Sequence, residues 1–281
     1  MKTCLPVASL AALLLLLAGC ATPPKPTAAA AAPVLSFAAT KPLAGGLAIA
    51  GPYLGDRRSA LTGRTLMVDS IHDIVLRDKE VVLTFDDGPM PGKTLKVLDA
   101  LDAKGVKATF LMVGQMARTY PAIVRQVAAR GHTIGTHTQD HANLSGMAVN
   151  TALAEIDKGQ KSVAAALVPM QAQPAPFFRF PYLADTPVLR QALADRGTVV
   201  IDVNVDSKDY FVSSPADLQK RGLERLDARG SGIILFHDIH ARTVAMLPGF
   251  LDALQARGYT VVNLVPGKAG AREMLLSQAG S

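Results

Sequence analysis

Hydrophobic residues are distributed along this chain in two different ways. Near the start they form one block, Leu5 to Leu17 behind Lys2, about a dozen residues long and too short to span a bilayer comfortably. Beyond Asp78 they come as short β-rich runs alternating with longer amphipathic stretches, the pattern of βα units that build a parallel sheet. The runs Glu80 to Phe85, Ala108 to Val113, His132 to Gly135, Phe177 to Arg179, Thr198 to Val203, Gly232 to Phe236 and Tyr259 to Val262 are expected strands. Between them Lys93 to Lys104, Pro121 to Arg130, Val149 to Leu167, Thr186 to Asp195, Pro215 to Asp227 and Val244 to Arg257 are expected helices. Gly105, Gly131, Gly197, Gly230 and Gly258 stand where those helices should stop. The pattern predicts an α/β fold, a (β/α) barrel-like layout of about seven parallel strands, with chemistry collected at the C-terminal strand ends.

The leading block reads as a signal peptide over residues 1–19. It ends in Leu17-Ala18-Gly19-Cys20, which resembles the lipobox of bacterial lipoproteins. That resemblance implies an acylated Cys20 and a membrane lipid anchor, the alternative being an ordinary signal peptide with a chance cysteine. Ala21, rather than Asp, after the cysteine implies the periplasmic side of the outer membrane if the host is Gram-negative. Cys4 leaves with the leader and no other cysteine follows, so disulfides are excluded from the mature chain. Residues 20–45, rich in Ala, Pro, Thr and Lys, lack the bulky apolar side chains needed for a core and read as a tether. Residues 46–77 carry no legible motif and are expected to be an N-terminal extension. One folded domain over 78–266 and a tail over 267–281 complete the division. The formal net charge is +6, with Lys and Arg scattered among acids. That balance fits an anionic envelope surface and offers no basic cluster for nucleic acid.

Five segments hold the candidate chemistry. Asp86 and Asp87 end the first expected strand in Thr84-Phe85-Asp86-Asp87-Gly88-Pro89. Adjacent carboxylates there face different ways, so one can bind a metal while the other handles protons. His137 and His141 are four apart, the spacing that brings two imidazoles to one face of a helical turn within reach of a shared ion. With Asp87 they supply two nitrogens and one oxygen and leave a position open for water, as catalytic zinc sites require. Arg179 precedes Phe180-Pro181-Tyr182 and can grip a carboxylate through two hydrogen bonds. Asp206-Ser207-Lys208-Asp209-Tyr210 follows the fifth strand, and on its own reads as a polar loop. His237, the first polar side chain beyond Ile233 to Phe236, is well placed for a general acid. His72, His132 and His240 read as structural or surface histidines. Phe177, Phe178 and Phe180 can line a groove, although apolar residues at a strand end more often pack the core.

Taken together and in this order, TFDDGP, H-T-x-x-H, R-x-P-Y, D-x-x-D with a following aromatic, and L-x-H resemble the five motifs of the NodB-like polysaccharide deacetylases, carbohydrate esterase family 4. The resemblance covers Thr84 to His237 and implies a distorted (β/α) barrel, the NodB homology domain, over 78–266. It implies Asp87, His137 and His141 as metal ligands, Asp86 as general base and His237 as general acid. It further implies that Arg179 holds Asp86, that the Tyr182 backbone N–H stabilises the oxyanion, and that Asp206 tunes His237. Tyr182, Tyr210 and Phe180 become expected substrate contacts. The implied cofactor is one divalent ion, zinc first, with cobalt or nickel as alternatives. The implied reaction removes acetyl groups from an N-acetylated polysaccharide: peptidoglycan, a chitin-like polymer or poly-N-acetylglucosamine. An O-acetyl polysaccharide esterase and a non-catalytic sugar-binding lipoprotein are the alternatives, and no protein partner is implied. One departure is Tyr210, where the family usually has Trp, in a chain without tryptophan. It bears on the wall of the sugar groove rather than on the metal ligands.

Overall fold

The computed structural model describes residues 60–267. The expected leader, Cys20, the tether, residues 46–59 of the extension and residues 268–281 of the tail lie outside the described residues. Nine strands and seven α-helices occur within them: β1 (Thr62–Val68), β2 (Glu80–Asp86), α1 (Thr94–Ala103), β3 (Thr109–Met112), α2 (Gly114–Thr119), α3 (Pro121–Ala129), β4 (Thr133–Thr136), α4 (Val149–Leu167), β5 (Phe177–Phe178), α5 (Pro187–Ala194), β6 (Val199–Val200), β7 (Val205–Asp206), α6 (Pro215–Arg229), β8 (Gly232–His237), α7 (Ala241–Ala256) and β9 (Thr260–Pro266).

All strand pairings are parallel. The staves run β7-β8-β2-β3-β4-β5-β6, and β9, with β1 beyond it, joins the lower end of β2 through Glu80 and Val81. No pairing joins β6 to β7 among the described residues, so the barrel is open at that seam. Two strands go beyond the expected seven. β1 falls in the segment expected to be an extension, and its polar start, Thr62-Gly63-Arg64-Thr65, hides it from a hydrophobic reading. It is a strand of the same sheet, and Arg64 secures it by donating from Nε and Nη2 to the Glu80 carboxylate at 2.8 and 2.9 Å. β7 is only two residues long, below the length at which periodicity registers.

Alternation along the strands divides the apolar residues between two faces. Val81, Leu83 and Phe85 of β2 and Ile234 and Phe236 of β8 pack outward against Val97, Leu101, Leu226 and Phe250 of the surrounding helices. Phe85 lies between Phe110 and Phe236, with ring centroids 5.1 and 5.8 Å away. Val82, Leu111, Phe177, Ile233, Val262 and Leu264 fill the interior. A filled interior leaves the upper strand ends as the place where inward side chains can meet solvent.

Candidate active site

The same alternation decides which residues reach that place. On β2 the inward set that contains Val82 continues through Thr84 to Asp86, and on β8 the set that contains Ile233 continues through Leu235 to His237. On β4 the outward residue is Ile134, which leaves His137, just past the strand, with inward parity. Arg179 shares the parity of the inward Phe177. Asp86 and His237 are direct neighbours in the β2–β8 register. Separate parts of the chain therefore deliver a carboxylate, two imidazoles and a guanidinium to one rim.

Asp87, His137 and His141 have ligand atoms that all lie within 4.8 Å of one another. From Asp87 Oδ1 it is 3.6 Å to His137 Nε2 and 3.3 Å to His141 Nε2. Ligands about 2.0–2.1 Å from a tetrahedral ion stand roughly 3.4 Å apart, so this spacing suits a divalent cation. Two further observations agree. The His137 Nδ1–H donates to the Arg179 carbonyl at 2.7 Å, which turns the Nε2 lone pair toward the cluster, and burial lowers the pKa of this histidine and keeps it neutral. Asp87 Oδ1 is buried without a hydrogen-bond partner among the described residues, an expensive state for a carboxylate unless a cation occupies the space beside it.

Around the cluster the neighbouring ionisable groups are fixed by their partners. Arg179 is almost wholly buried and donates from Nη1 to Asp86 Oδ1 and to Thr84 Oγ1, both at 2.8 Å, and from Nε to the Ile201 carbonyl at 3.0 Å. A buried guanidinium with these partners holds Asp86 in one orientation. A different pairing governs His237. Burial alone would lower its pKa, but the Asp209 carboxylate, 2.6 Å from Nδ1, together with Asp86 and Asp87, outweighs burial and pushes it up to about 9. His237 Nε2 points toward the cluster, 3.9 Å from Asp87 Oδ2. Asp209 is itself held by the His237 backbone N–H at 2.7 Å and by the Thr243 hydroxyl at 2.6 Å.

Three expectations need correcting. Asp206 does not contact His237. It accepts from the Tyr210 hydroxyl and the Lys208 N–H, both at 2.8 Å, because the chain reverses after β7 and presents the second acid of D-x-x-D, Asp209, to the imidazole. His137 and His141 do not share a helical turn. They converge through a loop in which Thr138 and His141 have φ of 62° and 55°, and their ring centroids are 5.0 Å apart. Phe180 borders the cavity but is buried, its ring 4.9 Å from that of Phe178, so it is packing rather than an open platform.

Asp86, Asp87, His137, His141, Tyr182, Tyr210 and His237 line one cavity of about 340 Å³. Tyr182, 67% exposed, sets its ring edge-on to His141 at 4.7 Å, and Tyr210 sets its ring edge-on to His237 at 5.8 Å. Asp87, Thr138, His141, Tyr182, Leu183 and Lys208 all adopt positive φ, so left-handed backbone concentrates in the loops around this cavity, as at other sites where strain aims side chains. The sequence also missed Asp238. It is fully buried, burial raises its pKa to about 7, and it accepts from the Thr94 hydroxyl while filling the space where a Gly88 side chain would stand. His240, half-buried, places its ring 5.6 Å from that of His237.

The model of the family described as polysaccharide deacetylase matches residues 74–201. A chitooligosaccharide deacetylase of Azorhizobium caulinodans is 31% identical over 202 residues, covering 67% of this chain and 94% of that protein. The chain belongs to the polysaccharide deacetylase family. Another member, the peptidoglycan-N-acetylglucosamine deacetylase of Listeria monocytogenes, is 33% identical over 189 residues, 66% of this chain, and the chain spans only 38% of its length. Among solved structures of the family, the peptidoglycan deacetylase of Bdellovibrio bacteriovorus superposes with a TM-score of 0.65 at 34% identity, covering 76% of this chain and 59% of that one. Deacetylases of carbohydrate esterase family 4 are metalloenzymes, and the candidate metal site of this member is Asp87, His137 and His141.

Proposed function

We propose that this protein is a metal-dependent hydrolase that removes acetyl groups from an N-acetylated cell-envelope polysaccharide. The observation that carries the reading is the pairing of Asp86, oriented by Arg179, with His237, held protonated by Asp209, across one cluster of candidate metal-ligating side chains. Asp87, His137 and His141 would hold the ion. When bound, a divalent ion supplies Lewis acidity toward the acetyl carbonyl and the attacking water. Asp86 accepts the proton that water releases as its oxygen attacks the carbonyl carbon. His237 donates a proton from Nε2 to the departing nitrogen. The Tyr182 backbone N–H is the proposed donor to the oxyanion. Amide cleavage needs such an acid because an unprotonated amine anion is a poor leaving group, and a histidine with a pKa of about 9 is loaded with its proton at neutral pH.

Zinc is the proposed ion, since two imidazoles, one carboxylate and an open position suit it. Peptidoglycan is the proposed polymer, supported by the Listeria and Bdellovibrio relatives and by the lipobox-like Leu17-Ala18-Gly19-Cys20. That segment supports a lipid anchor at Cys20 and a place in the envelope, on the periplasmic face of the outer membrane if the host is Gram-negative. Matched N-acetyl and O-acetyl glycans test the bond: faster release from the N-acetyl glycan is expected, and release confined to the O-acetyl one would make the protein an esterase.

A further inference from the structure

We propose that Phe211 and Val212 form an outer subsite that carries a further sugar ring of a polymer whose acetylated unit sits in the metal cavity, an inference that rests on the hydrolase reading above. At about 340 Å³ the cavity is near the lower limit for a small-molecule pocket, so most of a glycan chain must lie outside it. Tyr210 is the point of exit. Its ring lines the cavity, and its hydroxyl is tied to Asp206 at 2.8 Å. The Phe211 ring lies 4.8 Å from it at 45° and is not among the residues lining the cavity. Phe211 is 57% exposed and Val212 is 96% exposed, and neither belongs to a core cluster.

The backbone that carries this exposed apolar tip is hydrogen-bonded from two helices. Below it Asp209 is fully buried and anchored to His237 and Thr243. From α6, Arg221 donates to the Ser207 carbonyl at 2.8 Å and the Lys208 carbonyl at 3.1 Å, and from α7, Arg242 donates to the Phe211 carbonyl at 2.6 Å. Two arginines from two helices thus brace a loop that leaves an aromatic ring in water. An exposed aromatic ring with the Lys208 Nζ 5.9 Å over its centroid and Arg242 bonded to its backbone carbonyl suits a pyranose, which presents C–H bonds to the ring and hydroxyls to the charged groups. Preorganisation also lowers the entropic cost of binding.

The test is calorimetric binding of the N-acetylglucosamine hexamer and disaccharide to the full-length chain, with Asp86→Asn present throughout to prevent turnover. The account expects the hexamer to bind more tightly, and expects Phe211→Ser to reduce the hexamer-to-disaccharide affinity ratio about tenfold. Phe211→Tyr, which keeps a ring, should restore it. A ratio unchanged by Phe211→Ser, or a parent chain that binds both oligomers equally, would overturn the subsite. Failure of the unsubstituted chain to release acetate would count against the hydrolase reading alone, since binding does not depend on turnover.

Discussion

At the scale of single residues, the site works by giving similar groups different environments. Asp86 is paired with a buried arginine, Asp87 faces two imidazoles, and Asp209 faces one imidazole and a hydroxyl. Each environment assigns a task. His237→Ala should lower kcat by about 10²–10⁴-fold while metal content, measured by elemental analysis, stays at the parent level, because His237 lies outside the ligand set. Asp209→Asn should act differently. The acid works in its protonated form, so activity is lost as pH rises through the pKa of His237. Removing the Asp209 charge lowers that pKa, and the alkaline limb of the kcat profile should move to lower pH. A limb that stayed in place would exclude Asp209 as the group that loads the acid. Asp86 and His237 were legible in the sequence as strand-end residues, because each follows a largely apolar run, Val81 to Phe85 and Ile233 to Phe236. Asp209 was not assigned its role, because D-x-x-D offers two acids and only the loop's path selects one.

At the scale of elements, loops are positioned by close approaches that sequence periodicity does not encode. Helix α4 crosses the loop carrying the two histidines at Gly159, where an added Cβ would collide with the Thr138 carbonyl group, and Gly114 of α2 meets Gly159 and Gln139 at the same crossing. The loop is also held by the Glu155 carboxylate, which accepts from the Gln139 and Asp140 N–H groups at 3.0 and 2.7 Å. Gly159→Ala should destabilise the fold by about 1–3 kcal/mol in denaturant titration. It should also weaken metal binding, since relief of the collision moves His137 and His141. The long amphipathic helices were legible from their 3.6-residue period, α4 to both of its ends, Val149 and Leu167. The His loop was misread as a helical turn because i, i+4 spacing is shared by helices and by loops with left-handed residues. Between β3 and β4, His132 is buried and accepts the Ala108 N–H at Nδ1 at 3.2 Å, and burial lowers its pKa to about 4. The unfolded chain takes up that proton near pH 6.5 and the folded one does not, so His132 removes stability as pH falls from about 6.5 to about 4. In His132→Asn, unfolding free energy should fall less steeply across that interval than in the parent.

At the scale of the whole molecule, the described residues form one open, parallel barrel whose interior is filled below and chemical above. No helix among them is long and apolar enough to cross a membrane. The fold class was legible because alternating strand and helix patterns admit few architectures. The participation of β1 was not, because its pairing with β9 joins residues such as Leu66 and Leu264 far apart in the chain. The central claim is that Asp87, His137 and His141 hold a divalent ion that makes this chain a deacetylase. It is tested most directly by acetate release from N-acetylglucosamine oligomers, with the full chain first stripped by chelator and then given zinc. The account predicts release that stops on chelation and returns with zinc, and that fails to return in His141→Ala. Release that persists undiminished in the chelated protein would contradict it.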